Sequence, residues 1–469
     1  MSRTSDLAGD IRATGDDAPA VPDRRDAAAA PTAPATAPAT RPRSRRPRLM
    51  MVGGFTEIYR KAKAQGLDLT VAQRLADIAP ADLGTVDQLI TAPMDDPGLP
   101  DVIAALHRAR PFDAVLSFQE HGLLTAAAVR ERLALFGNPR DAVLLTRDKA
   151  LMRDRLAAVG VPSVPHLRSN DPDELRTFGD RAGWPLILKP VRGSGSRQIH
   201  RVDTPSELGP ALARMYAVDP ATRVLAEKWV HGPEVSVEAL TWEGRHRVVT
   251  VTDKLTTGAP HFVETGHTMP SRLPAGVLGQ VREVTFRLLD AVGHRYGPSH
   301  TEIVVTADGP VVIETHTRTG GDRIFEMVEL TTGVDLFSAT LAGFAGDADP
   351  LPAGSHRAGA AIWFFDLPPG VVTELSGLRA AAASAGVSRV ETRLTPGART
   401  VPLRMSDDRP GFVLATGADA SEAARNAEAA LALLTIRVTP DGPDGSLRDG
   451  PGDGPGGGPA ASTGAAAGR

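Results

Sequence analysis

The stretch His300-Thr301-Glu302-Ile303, with Ile313-Glu314-Thr315-His316-Thr317-Arg318-Thr319-Gly320-Gly321-Asp322 after it, decides the fold of this chain. Its two carboxylates, Glu302 and Glu314, flank short apolar runs, Ile303-Val304-Val305 and Val311-Val312-Ile313, joined by Ala307-Asp308-Gly309-Pro310. Two β-branched runs around Asp-Gly read as the strands of a hairpin. A loop of Ala307 to Gly309, with Gly309 left-handed, pairs Val305 with Val311 and Glu302 with Glu314. Side chains alternate along a strand, so both carboxylates and His316 then share one face. Acids side by side repel and are costly to keep ionised without a cation between them. Mg²⁺ bridging to phosphate suits such a pair, because it takes one or two carboxylates and completes its shell with phosphate oxygens and water. Read alone, the two glutamates also fit a solvated acidic hairpin edge.

The 469-residue chain is long enough for two or three domains with sizeable cores. A hydrophobic fraction of 42% is ordinary for a soluble protein, and a net charge of −4 carries no nucleic-acid footprint. No stretch approaches about 20 apolar residues, so no membrane span is expected. The absence of cysteine excludes disulfides, thiolate metal sites and cysteine catalysis. With a polar N-terminus that lacks an apolar signal core, it predicts a cytoplasmic protein.

Residues 1–47, rich in Ala, Pro, Thr and Arg with a basic cluster from Arg41 to Arg48, read as a disordered tail, as do the Gly-, Pro- and Asp-rich residues 439–469. Between them, Leu49-Met50-Met51-Val52-Gly53-Gly54 and Ala114-Val115-Leu116-Ser117-Phe118 are strand-like and each is followed by a helical stretch, which predicts an α/β domain over 48–140. Gly53-Gly54 reads as a tight strand-to-helix turn. A helix beginning near Arg147-Asp148-Lys149 ends at Gly160, ahead of Pro162. The strand Leu186-Ile187-Leu188-Lys189-Pro190 leads into the loop Arg192-Gly193-Ser194-Gly195-Ser196. A second strand, Val224 to Val230, leads into His231-Gly232-Pro233-Glu234. The segment 346–438, with the runs Ala361 to Phe365 and Gly411 to Gly417 and an Ala-rich helix over 420–435, reads as a small α+β lobe.

Lys189 ends a strand three residues before a Gly/Ser loop. There it can act as a point charge on phosphate oxygens while backbone N–H groups of Gly193 to Ser196 wrap them. A surface turn with a solvated lysine explains the same residues. Lys149 lies on a charged helix face that solvent alone would justify. Glu227-Lys228-Trp229-Val230 offers a strand end whose backbone can read an adenine edge, with Glu234 placed for ribose hydroxyls, yet by itself it is a strand and a Gly-Pro turn. Phe118-Gln119-Glu120-His121 either lines a substrate site or caps a helix.

In this order, Lys149, Lys189 with its Gly/Ser loop, Glu227 to Glu234, Glu302, Glu314, Arg318 and Gly320-Gly321 resemble the ATP-grasp superfamily over residues 48–438. Asp253-Lys254, Phe262-Val263-Glu264-Thr265-Gly266-His267-Thr268-Met269-Pro270-Ser271 and Gly297-Pro298-Ser299-His300-Thr301-Glu302 are similar to the bacterial L-amino acid ligases, as is the segment from Gly411 to Ile436. The resemblance implies a mixed α/β and α+β architecture. It comprises a Rossmann-like pre-ATP-grasp domain over 48–140, an ATP-grasp domain over 141–345 with a lid at about 150–225, and a C-terminal lobe over 346–438.

The resemblance also implies roles. Lys149 and Lys189 contact ATP phosphates beneath a lid formed by Gly193, Ser194, Gly195 and Ser196. Glu227, with backbone at Lys228 and Val230, frames adenine, and Glu234 takes the ribose. Glu302 and Glu314 hold Mg²⁺, while Arg318 and the Gly320 and Gly321 amides face the carboxylate being activated. His267 and Glu264 are candidates for a base, and His267 also for an amino acid contact. His316 stands where the family has a metal-ligating asparagine. Imidazole is a softer ligand and suits Mg²⁺ poorly. His316 therefore either ligates and tilts preference towards Mn²⁺, bonds a phosphate or water, or fills space at a strand end.

The implied activity is ATP-dependent joining of a carboxylate to an amine through an acyl phosphate, with release of ADP and phosphate. Implied partners are small-molecule acids and amines, in the first place amino acids, with a homodimer as the candidate assembly and neither nucleic acid nor membrane. Rival readings are an ATP-grasp carboxylase of the biotin or purine type and a non-enzymatic nucleotide-binding scaffold.

Overall fold

A computed structural model describes residues 45–440 apart from 194, 196, 347–349 and 353. Most of the two expected tails, and the loop residues Ser194 and Ser196, lie outside the described residues. Strands β1 (Arg48–Val52), β2 (Asp68–Gln73), β3 (Gln88–Thr91) and β4 (Ala114–Leu116) form a parallel sheet in the order β3-β2-β1-β4. All of β1 is buried, as expected of an inner parallel strand covered on both faces, and the edge strand β4 is buried as well. After β1 the chain turns at Gly53, whose φ is +82°, and a Cβ there would collide with the side chains of Gln119 and Met94. Glycine is therefore required at this turn on both counts.

Strands β5 (His166–Arg168), β6 (Leu186–Pro190), β7 (His200–Val202) and β8 (Val224–Lys228) form an antiparallel sheet in the order β5-β8-β6-β7. Alternation divides its residues. Leu186, Leu188 and Ala226 pack with Leu175, Phe178 and Met215, on the helices Pro172–Ala182 and Leu208–Val218. Ile187, Lys189 and Glu227 face the opposite side, into a cleft.

The chain continues through β9 (Glu234–Trp242), β10 (Arg245–Thr256), β11 (Glu264–Met269), β12 (Tyr296–Thr306), β13 (Gly309–His316), β14 (Gly359–Phe364), β15 (Gly370–Ser376), β16 (Val387–Thr392), β17 (Arg399–Thr400), β18 (Gly411–Gly417) and β19 (Thr435–Thr439). Eight of these make one sheet in the order β13-β12-β9-β10-β11-β14-β18-β16, and β17-β15-β19 form a small sheet beside it. The C-terminal strands thus extend the large sheet through the β11–β14 ladder, from Gly266↔Trp363 to Met269↔Ala360. The Trp363 ring leaves no room for a Cβ at Gly266.

The β12–β13 hairpin departs from the expected register. Thr306 pairs with Gly309, so the loop is only Ala307 and Asp308, and Val304 rather than Val305 faces Val311. Gly309 does take a positive φ, +114°. A bulge then places Ile313 as an extra residue in β13, and Glu302 faces Glu314 as expected. A two-residue loop shifts every pairing by one, and the bulge reverses that shift at the point where the carboxylates need it.

Aromatic packing fixes the first sheet against the rest. Phe118, just beyond β4, meets Phe337 edge-on at 5.0 Å, and Phe337 also contacts Phe55 and Phe325. This joins the ends of β1 and β4 to the helices Ile324–Thr332 and Leu336–Ala345. Among the described residues no helix is long and apolar enough to cross a membrane.

Candidate active site

Between the β5–β8 sheet and the eight-stranded sheet lies a cleft of ≈ 710 Å³. Of the described residues given a role by the resemblance, all but Gly320 line it, whereas Phe118 to His121 do not.

Two lysines enter from the β5–β8 side. The helix Lys149–Ala158 is capped by Asp148, whose carboxylate accepts from the Leu151 N–H at 3.1 Å, and the Lys149 N–H donates to the Val191 carbonyl. The cap starts the helix where its first side chain points at the cleft. Lys149 Nζ donates to the Gly193 carbonyl at 2.7 Å and lies 3.0 Å from Glu314. Lys189 Nζ is 2.7 Å from Glu227, whose other oxygen takes Arg153 Nε at 2.9 Å. Arg153 is wholly buried, one turn after Lys149 on the same helix face, and its guanidinium also donates to the carbonyl of the bulged Ile313. Burial disfavours the Glu227 charge, but Arg153 and Lys189 hold its carboxyl below the usual range. The Glu227 side chain therefore orients Lys189. The backbone expected to read a base is also partly engaged, since the Lys228 N–H donates to the Pro165 carbonyl. Among the described residues the Val230 N–H has no backbone acceptor.

Glu302 and Glu314 form the floor. Lys254, on β10, is buried among three carboxylates, at 2.6 Å from Glu302, 2.8 Å from Glu234 and 3.6 Å from Glu264. Burial opposes its charge, and those three acids raise its pKa well above that of a free lysine. Beneath Glu302, His300 Nε2 lies 3.4 Å from the carboxylate and Nδ1 lies 2.7 Å from the buried Glu238. Burial pushes the His300 pKa down, but Glu238 outweighs it and brings the value to about 9. Burial likewise works against both floor carboxylates, yet Lys254 holds Glu302, and Lys149 and His316 hold Glu314, below the usual range.

The donor set fits a hard divalent cation that completes its shell with phosphate oxygens and water. Two carboxylates oppose each other directly, and among the described residues no three His, Asp or Glu side chains converge as a closed metal site. His316, the third candidate, stands beside this pair. Its Nε2 lies 2.9 Å from Glu314 and its Nδ1 3.1 Å from Glu120. Both nitrogens thus face carboxylates.

Glu120 sits in the turn that follows β4. It receives Arg318 Nε at 2.8 Å, His316 at 3.1 Å and Arg147 Nε at 3.1 Å. Burial raises its pKa, but these three donors hold it well below the usual carboxylate range. Glu120 thus touches the site residues His316 and Arg318 from outside the cleft lining, and the helix Leu123–Leu133 has no side-chain cap from this segment.

Gly320 runs against His300, whose Nδ1 would lie 2.7 Å from an added Cβ, whereas Gly321 has open space on that side. The next two residues, Asp322 and Arg323, take positive φ of 53° and 61°, which non-glycine residues hold only when neighbours enforce it. Asp322 is clamped by both Nη atoms of Arg409, with Nη1 at 2.8 Å, and by His267 Nε2 at 3.0 Å. The Arg409 guanidinium stacks 3.8 Å above the Phe364 ring. His267, 1% exposed, thus braces the turn after Gly321. Glu264 accepts from Ser406 Oγ at 3.0 Å, and the Ser406 N–H donates to the Gly195 carbonyl, so the Gly/Ser loop meets the C-terminal strands here.

Arg153 and Arg409 had no place in the sequence reading, and His300 and Asp322 stood in its motifs without a role. Arg153 carried a signal, its four-residue spacing from Lys149, and Lys254 was part of a motif without a role. Nothing in the sequence joins Arg409 to Asp322.

Comparison with known proteins gives three family matches: the ATP-grasp N-terminal domain over residues 59–137, the ATP-grasp domain over 182–326 and the L-amino acid ligase C-terminal domain 2 over 363–439. An uncharacterized protein of Sinorhizobium fredii is 28% identical over 74% of this chain and 73% of its own length. The L-arginine-specific L-amino acid ligase of Bacillus subtilis is 25% identical over 49% of this chain and 57% of its own length, so the match spans little more than half of that relative. The crystal structure of the L-amino acid ligase from Bacillus licheniformis superposes with a TM-score of 0.73 at 23% identity, covering 84% of this chain and 99% of that one, which shows the fold. Fold and domain matches agree: the chain carries the ATP-grasp N-terminal domain, the ATP-grasp domain and the C-terminal domain 2 of the L-amino acid ligases, and it is similar to ATP-grasp carboxylate–amine ligases.

Proposed function

We propose that this chain joins an amino acid carboxylate to the amino group of a second amino acid, using ATP and Mg²⁺ and passing through an acyl phosphate. The observation that carries this reading is the directly opposed Glu302 and Glu314 pair, in one cleft with Lys149, Lys189 and Arg318. The substrate carboxylate oxygen attacks the γ-phosphorus of ATP and ADP departs. The amine nitrogen then attacks the acyl carbon, and phosphate leaves.

Phosphoryl transfer asks the protein mainly for positioning and charge neutralisation. Lys149 and Lys189 supply positive charge from the lid side, with Lys189 held in place by Glu227. A divalent cation on Glu302 and Glu314 would supply further neutralisation at the phosphate oxygens. The Val230 backbone reads the adenine edge and Glu234, held by Lys254, takes the ribose. Arg318 offers its Nη2 to carboxylate or acyl-phosphate oxygens, and the amide of Gly321 receives the oxyanion. His316 reaches a phosphate oxygen or water only by giving up its contact with Glu314 or Glu120, so it serves to orient those two carboxylates. Gly193 and Gly195, which line the cleft, help keep water from the acyl phosphate.

A screen of amino acid pairs for ATP-dependent phosphate release, with mass spectrometry of the products, tests the proposal. A condensed product accompanied by stoichiometric ADP and phosphate is expected. Phosphate release that needs bicarbonate and no amino acid would assign the chain to carboxylation instead.

A further inference from the structure

We propose that Glu120, contributed by the first α/β sheet, is a positioning residue that sets the orientation of Arg318 and His316 for carboxylate activation; this rests on the ligase reading above. Glu120 follows β4 and reaches residues at the far edge of the eight-stranded sheet. One of its oxygens, Oε2, accepts from both Arg318 Nε and His316 Nδ1, and Oε1 faces Arg147 Nε. The three donors come from two regions of sequence, and Glu120 is their common acceptor.

The geometry specifies what this does to Arg318. Nε is held by Glu120 and Nη1 donates to the Thr319 carbonyl at 2.8 Å. With both restrained, the guanidinium plane is fixed, and among the described residues Nη2 has no acceptor. That nitrogen is the one left for an incoming carboxylate or phosphoryl oxygen. His316 is held in the same way, between Glu120 and Glu314. Glu120 itself is placed by its neighbours. Gln119 Oε1 accepts from the Gly54 N–H at 2.6 Å and from Gln73 Nε2 at 3.3 Å, tying the turn to β1 and β2. Phe118 locks the other side against Phe337. The C-terminal edge of a parallel sheet is where such folds present functional side chains. In this chain that edge delivers an anion to the arginine.

The test is a hydroxylamine trap of the activated acid, with MgATP and single L-amino acids, so that the identity of the amine does not matter. Glu120→Gln is expected to lower kcat for hydroxamate about 100-fold, the scale of a misplaced catalytic group, with KM for ATP within about twofold. The Glu120→Gln, Arg318→Lys double variant is expected to be no slower than Arg318→Lys alone, because both act through one guanidinium. Glu120→Asp keeps the buried charge and is the variant to use should Gln fail to fold; it withdraws the carboxylate and lowers kcat with KM for ATP unchanged. Wild-type rates in both Glu120 variants, losses that add in the double variant, or a KM for ATP rising in step with the fall in kcat would each overturn the role. A wild-type protein that releases phosphate with bicarbonate and forms no hydroxamate with any amino acid would instead sink the ligase reading, and this role with it.

Discussion

Glu302 faces Glu314 across the β12–β13 ladder because Ile313 is an extra residue in one strand. Were Ile313 paired instead of bulged, the two-residue turn would set Glu302 opposite Ile313 and send Glu314 to the other face of the sheet. An alanine inserted between Ile313 and Glu314 takes the place opposite Glu302 and turns Glu314 to that other face, so it is expected to abolish ATP-dependent activity while the eight-stranded sheet persists. Circular dichroism close to wild type, together with loss of Mg²⁺-dependent ADP binding in calorimetry, is the expected result. Unchanged ADP binding would mean that the carboxylates need not share a face.

The carbonyl of the same bulged residue accepts from Arg153, which also holds Glu227. Arg153 is wholly buried, so its replacement by Met leaves Glu227 with only Lys189. Breaking a buried pair in this way typically costs about 3–5 kcal/mol. Lysine cannot serve both acceptors with one ammonium, so Arg153→Lys is expected to recover less than half of the loss. Urea unfolding measures both variants, and a Met variant within about 1 kcal/mol of wild type would contradict the linkage.

How much of this was legible in the sequence depends on distance along the chain. The hairpin was visible because β-branched runs around Asp308-Gly309 leave few alternatives, and Lys189 because a strand and a Gly/Ser loop bracket it. The register was misread by one residue, since a bulge is an unpaired residue that leaves no mark in composition. Arg153 and Glu227 are 74 residues apart, Glu120 and Arg318 198, and Arg409 and Asp322 87. A single sequence offers no way to pair such charges. Each looks like an ordinary surface residue until the fold buries it.

His316 faces Glu314 and Glu120 through both nitrogens. His316→Asn puts a hard amide oxygen beside the floor carboxylates and removes one bond to Glu120. The variant is expected to bind Mg²⁺ more tightly yet turn over about tenfold more slowly, because Arg318 loses a neighbour that shares its acceptor. Metal titrations of phosphate release at saturating ATP separate the two effects. Weaker Mg²⁺ binding in the variant would show that the imidazole itself is a ligand.

His294 makes a pH prediction away from the cleft. It is fully buried, bonded to the Gly297 carbonyl at 3.2 Å, and burial pushes its pKa down to about 3. The unfolded chain takes up this proton near pH 6.5 and the folded chain does not, so the contribution to stability is present above 6.5 and is lost as pH falls. Between pH 7.5 and 5.5 the loss from this group is about 1.4 kcal/mol. His294→Gln removes the titration, so its stability is expected to fall by that much less than wild type over the same interval. Parallel pH profiles in urea unfolding would contradict the assignment.

Lys254 is the counter-charge for Glu302, Glu234 and Glu264, and burial leaves those acids little solvent. Lys254→Met removes the cation and lets burial and Glu314 raise the folded-state pKa of Glu302 above its unfolded value. For an acid shifted upward, the penalty is present above the folded pKa and is relieved as pH falls and the group protonates. The variant is therefore expected to lose about 3–5 kcal/mol at pH 7.5 and to regain part of it at pH 5.5, the reverse of the trend set by His294. Mg²⁺ supplies charge at the same place, so about 10 mM of it is expected to stabilise the variant more than wild type at pH 7.5. Thermal unfolding with and without Mg²⁺ at both pH values measures all three effects. A variant that is weaker by the same amount at each pH and indifferent to Mg²⁺ would mean that Lys254 acts by packing alone.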